Sequence, residues 1–192
     1  MFVPFGHLVT AMVTPFDNEG KLAQDLVKGL VKRLVNSGTQ TILIGGTTGE
    51  SPTLAESEIL AIIDLVRDEA SDDVKIIVGT GSNSTDKSVK LSRKVAKKGV
   101  DGLLVVNPYY NKPTQAGLLA HFSEVANAVD VPILLYNIPG RTGVNCEPET
   151  IAKLSEVKNI AGVKEAAGSV DQAAQICAIT NRDEFALYSG DD

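Results

Sequence analysis

A parallel α/β fold is predicted by three features of the sequence. Short β-branched runs alternate with longer segments of helical period. Several runs are apolar at every position, as in Leu103-Leu104-Val105-Val106, the habit of strands covered by helices on both faces. Successive runs are about 30 residues apart, the length of one βα unit. An open doubly wound sheet and a closed barrel both fit such repeats. Regular spacing with no change of pattern favours the TIM-type (β/α)8 barrel.

The elements follow in order. A first strand is expected over Val9–Thr14. Leu22, Leu26, Leu30, Val31, Leu34 and Val35 then form a helical stripe that stops at Gly38. Thr41–Ile44 is the second strand. Thr53 and Glu56 have capping-box spacing before Ile59, Ile62, Ile63 and Val66. Lys75–Val78 is the third strand. Ser84 or Thr85 can cap a helix carrying Val89 and Val95, which stops near Gly99. Gly102–Val106 is the fourth strand. Thr114 can cap a helix with Leu118, Phe122 and Val125. Pro132–Tyr136 is the fifth strand, and Pro148 sits where a helix's first turn begins. Ile160–Lys164, a weaker helix over Val170–Ile179 and a strand over Phe185–Ser189 complete six βα units and a seventh strand. No linker or low-complexity stretch interrupts residues 1–192, which read as a single domain. A complete eight-unit barrel takes roughly 250 residues. The domain is therefore expected to be C-terminally incomplete, with an open sheet complete in itself as the alternative.

Composition narrows the function. At 43% hydrophobic the chain is too apolar for disorder, yet no apolar run approaches a membrane span. Met1 to Gly6 show no signal-peptide pattern, so a cytoplasmic protein is expected. With 18 Lys+Arg against 24 Asp+Glu the net charge is −6, which disfavours a nucleic-acid partner. Cys146 and Cys177 read as free thiols, and His7 and His121 have no ligand-like spacing, so no metal site is expected.

Functional groups of α/β folds gather at the C-terminal ends of the strands. Here those ends are polar, glycine-rich or aromatic, and the opposite ends are not. Lys164 closes a buried strand, where desolvation lowers an amine's pKa and frees a nucleophile for ketones. It could equally snorkel to water or pair with Glu165. Tyr136 can relay protons, or be a half-buried tyrosine with a satisfied hydroxyl. The loop GGTTGES, residues 45–51, offers backbone N–H groups and the hydroxyls of Thr47 and Thr48 to a small carboxylate, or is an ordinary turn. Arg141 can grip a carboxylate bidentately, or be a solvated loop arginine. Gly79–Ser84 lacks the third glycine of a dinucleotide fingerprint, and Asn83-Ser84-Thr85 is a glycosylation sequon without a secretory context. Asp191-Asp192 could hold a cation but reads as an interrupted loop.

Taken together, GGTTGES, GTGSN, NPYYNKP, LYNIPGRTG and VKEAAG, in this order and spacing, resemble the dihydrodipicolinate (4-hydroxy-tetrahydrodipicolinate) synthases. These belong to the pyruvate-dependent class I aldolases, with N-acetylneuraminate lyase. The resemblance runs over essentially the whole chain. It implies condensation of pyruvate with L-aspartate 4-semialdehyde, without metal or organic cofactor. It also implies that Lys164 forms the Schiff base and that Tyr136 moves the protons. Thr48 would link Tyr136 to a second tyrosine and hold the pyruvate carboxylate, with Thr47 its neighbour in the relay. Tyr110 would reach into the site of a partner subunit, in a homo-oligomer that is a dimer or tetramer. Arg141 would take the carboxylate of the second substrate, and Gly190 joins it and Thr48 as substrate-binding. Ser51, Asn83 and Tyr109 match an allosteric site for lysine. Lysine-inhibited members tend to carry His in place of Ile59 and Glu in place of Lys87. Lys87 would repel a lysine effector, so feedback is expected to be weak or absent. The alternatives are a pyruvate-dependent lyase of a sugar acid and a non-catalytic ligand-binding module.

Overall fold

The computed structural model describes residues 2–190, and Asp191 and Asp192, weighed above as a cation pair, lie outside them. One parallel sheet carries β1 (Val9–Ala11), β2 (Thr41–Ile44), β3 (Lys75–Gly79), β4 (Gly102–Val106), β5 (Ile133–Asn137), β6 (Ile160–Glu165) and β7 (Ala186–Ser189), side by side in chain order. A doubly wound sheet would reverse its order at a switch point. This order never reverses, so the sheet is the wall of a barrel. The connecting helices are α1 (Gln24–Asn36), α2 (Glu56–Glu69), α3 (Thr85–Ala96), α4 (Gln115–Asn127), α6 (Pro148–Ser155) and α7 (Val170–Ile179). A four-residue helix, α5 (Pro139–Thr142), lies in what reads from sequence as a loop. No described helix is long and apolar enough to cross a membrane.

Period-two alternation along each strand splits the core into two layers. Ile42, Ile44, Ile76, Val78, Leu103, Val105, Leu135 and Val163 face the helices. Leu43, Ile77, Leu104, Leu134 and Tyr136 face the concave side, where Phe5 packs with them. Both layers are buried, which is why the strands read as continuous apolar runs.

Local chemistry explains where the elements differ from the pattern. β1 ends three residues early because Thr14 leaves the ladder and its Oγ1 donates to the carbonyl of Gly49 at 2.7 Å. In α1 the stripe is phased one residue later than the leucines suggest: Val27 and Val31 are buried and Leu26 is 60% exposed. Its end is as expected. Gly38 takes φ +87°, its N–H bonds to the Val35 carbonyl and the Thr39 N–H to that of Leu34, a Schellman motif. Thr53 does not cap α2. It belongs to a 3-10 turn, Ser51–Thr53, entered through Pro52, and α2 starts at Glu56 with Ala55 before it. Glu58 there accepts the Ala55 N–H at 2.7 Å. Ser84, Thr114 and Ser169 cap α3, α4 and α7 by accepting backbone N–H groups.

Candidate active site

The β5–β6 register sets Tyr136 beside Lys164 and Asn137 beside Glu165. Alternation then sends the first pair into the concave side and the second toward the helices. The Lys164 Nζ lies 4.5 Å from the centre of the Tyr136 ring, within cation–π range. Glu165 turns away from the cavity and accepts from Asn137, the Ala167 N–H and Gln172 on the other face of the sheet. Tyr136 is buried, whereas Lys164 is half-buried and borders open space, so it is not sealed from water as its strand suggests.

A cavity of about 330 Å³ is lined by Ala11, Thr47, Thr48, Tyr136, Ile138, Arg141, Lys164 and Gly190. It shares Ala11, Thr48, Lys164 and Gly190 with a larger one of about 600 Å³ that runs down between β1 and β7 past Leu134 and Tyr188. Five separate strand ends thus contribute to one space. The threonine loop is held from two sides. Thr14 anchors Gly49, and Gly79 lies so close that a Cβ on it would stand 2.0 Å from the Gly45 carbonyl oxygen. Arg141 stands on α5, which closes at Gly143 with φ +75° and is braced by Thr142 Oγ1 donating to the Ile138 and Val144 carbonyls. Gly190 donates its N–H to the Glu165 carbonyl at 2.8 Å, and a Cβ on it would come within 3.0 Å of Lys164 Cε.

The remaining expected residues lie elsewhere. Tyr110 is 87% exposed on the β4–α4 loop, in a left-handed backbone conformation with φ +71°, and does not line the cavity. Ser51 and Tyr109 border a different cavity of about 500 Å³, with Ile59, Lys87, Lys90 and Lys94. There Lys90 pairs with Asp86 and Lys94 with Glu56. Asn83 does not line it, and its carbonyl accepts from Asn111 Nδ2 at 2.7 Å.

Sequence reading passed over a buried polar chain behind the site. Asn107 Nδ2 donates to Asn137 Oδ1 at 2.7 Å, and Asn137 Nδ2 donates to both carboxylate oxygens of Glu165 at 3.1 and 3.0 Å. The signal was available: each of these residues directly follows a cavity-facing one at the end of an apolar strand. Neighbouring Cys146 is buried, and burial first, then the charges of Glu165 and Glu147, push its thiol up to about 12. It is an inert thiol.

Comparison with known proteins agrees with this geometry. The model of the dihydrodipicolinate synthetase family matches residues 4–192. The 4-hydroxy-tetrahydrodipicolinate synthase of Cyanothece sp. is 51% identical over 189 residues, 98% of this chain and 64% of its own length. A dihydrodipicolinate synthase of Bacillus anthracis has the same fold with a TM-score of 0.96 at 44% identity, over 100% of this chain and 65% of that one. The Acinetobacter baumannii enzyme, solved in complex with pyruvate, gives 0.93 at 40% identity, over 97% and 64%. The chain therefore spans just under two thirds of the length of these relatives. With a family model matching from residue 4 onward and half the residues shared with a curated member, this chain belongs to the dihydrodipicolinate synthetase family.

Proposed function

We propose that the protein condenses pyruvate with L-aspartate 4-semialdehyde, giving 4-hydroxy-tetrahydrodipicolinate and water, through a Schiff base on Lys164. The observation that carries this is the convergence of Lys164, Tyr136, Thr47, Thr48, Arg141 and Gly190 on one cavity of about 330 Å³. The Lys164 amine attacks the ketone carbon of pyruvate, and Tyr136 passes a proton to the departing oxygen, which leaves as water. The iminium is an electron sink, so a methyl proton is lost and an enamine forms. Its carbon attacks the aldehyde, making the new carbon–carbon bond and a hydroxyl. The amine of the second substrate then displaces Lys164 and closes the ring. The Thr48 hydroxyl and loop N–H groups suit the pyruvate carboxylate, with Thr47 beside it in the relay, and Arg141 suits the carboxylate of the semialdehyde. The loss of one water in imine formation and none in the transimination balances the reaction.

Borohydride reduction with pyruvate should leave a covalent adduct on Lys164, detected by peptide mass, and Lys164→Ala should abolish it. A well-folded protein that gives no adduct overturns the proposal. Arg141 favours this reaction over a sugar-acid lyase. Arg141→Ala should lower turnover with the semialdehyde by about 10²-fold or more while leaving pyruvate trapping intact. Equal loss of both would assign Arg141 to pyruvate instead. An exposed aromatic in a left-handed backbone supports a homo-oligomer in which Tyr110 meets a second copy. Lys87 at the Ser51–Tyr109 cavity supports weak or absent inhibition by lysine. Lysine titration of turnover checks this, and strong inhibition below millimolar levels would contradict it.

A further inference from the structure

We infer that Glu165 and Asn137 are positioning residues, an outer staple that holds the ends of β5 and β6 so that Tyr136 and Lys164 meet on the inner side. The inference rests on the Schiff-base reading above. Asn107, Asn137 and Glu165 each follow a cavity-facing residue (Val106, Tyr136 and Lys164), and the register pairs Asn137 with Glu165 as it pairs Tyr136 with Lys164. All three outer side chains are buried, Glu165 at 6% exposure. Asn137 spans the ladder. Its Oδ1 accepts from Asn107 Nδ2 and from the Cys146 N–H, and its Nδ2 donates to Glu165 and to Asn145 Oδ1. Glu165 is further held by the Ala167 N–H at 2.8 Å and by Gln172 Nε2 of α7 at 3.1 Å.

Two features set this apart from filler. Every one of these donors is neutral, and a buried carboxylate is costly where an apolar or amide side chain would fill the same space. The staple also sits one residue from both reacting side chains, where a twist of either strand end moves their heads by a comparable distance. A misplacement of about 1 Å is enough to cost about 10²-fold in rate. Gly190, whose N–H bonds to the Glu165 carbonyl, ties β7 to the same point.

Glu165→Gln tests the inference in the complete protein. It keeps the shape but turns an NH2 group toward donors. The rate of borohydride trapping at saturating pyruvate should fall by at least about tenfold, with half-saturation moving less than about threefold. Gln172→Met, at a half-buried position, carries the test if Glu165→Gln does not fold, with an expected loss of about threefold. Circular dichroism confirms folding of each variant. Undiminished trapping in folded Glu165→Gln overturns the staple alone. Absence of an adduct in the parent protein overturns the Schiff-base reading, and the staple's role falls with it.

Discussion

Lys164 reaches the cavity along a stem that Gly190 leaves room for. A single methyl at Gly190 would lie 2.7 Å from the Ala166 Cβ and 3.0 Å from Lys164 Cε, so either the strand end or the lysine must move. Gly190→Ala should therefore slow pyruvate trapping by about tenfold or more, while thermal unfolding shifts by only a few degrees. Trapping at the parent rate would show that the lysine's position is not set there. The opposite behaviour is expected of Cys146, whose thiol is held up to about 12 and buried, and which should resist alkylation at pH 8 in the folded protein. At this scale the sequence identified most of the site. Lys164, Tyr136 and Arg141 stand out because charged and phenolic groups at the ends of apolar runs are costly unless used. Glu165 and Asn137 did not, because their meaning depends on which neighbour lies across the ladder.

Among the elements, the loops after β2 and β3 are the most constrained. Gly79 and Gly45 touch backbone to backbone, so Gly79→Ala must push the ends of β2 and β3 apart and should cost about 3 kcal/mol or more of stability, measured by urea unfolding. The caps carry less. Ser84→Ala and Thr114→Ala each remove one side-chain acceptor from a helix start and should cost about 1 kcal/mol. Strand positions were readable because burial on both faces leaves β-branched runs with no polar interruption. Helix phase was harder. In α1, leucines and valines both fit a stripe, and only packing against α2 and the sheet decides that Val27 and Val31 go inside while Leu26 faces water. The start of α2 was misread for a related reason: Thr53 and Glu56 have the right spacing, but Pro52 commits that segment to a separate 3-10 turn.

For the whole molecule, one buried group links fold to pH. His121 on α4 is buried against α3, its Nδ1 bonded to Thr85 Oγ1 at 2.8 Å, and its Nε2 has no hydrogen-bond partner among the described residues. Burial lowers its pKa from 6.5 to about 4. Between those values the unfolded chain binds a proton that the folded chain refuses, so stability rises with pH across this window and is lost as pH falls through it. The effect should be on the order of 2 kcal/mol between pH 7 and 4. It is read from urea midpoints, and His121→Leu should flatten the slope. An unchanged slope would assign the acid sensitivity to carboxylates. The same packing of helices on a one-directional sheet is what gathers the site. By itself the sequence determined the α/β class, the order of the repeats and the residue types at the strand ends, because periodicity and the cost of burying polar groups are local properties of a chain. Only the tertiary structure decided which ends converge, that the sheet curls without reversing, and that Lys164 and Glu165 diverge to opposite faces. Those outcomes depend on register and strand twist, which are set by contacts between segments far apart in the chain.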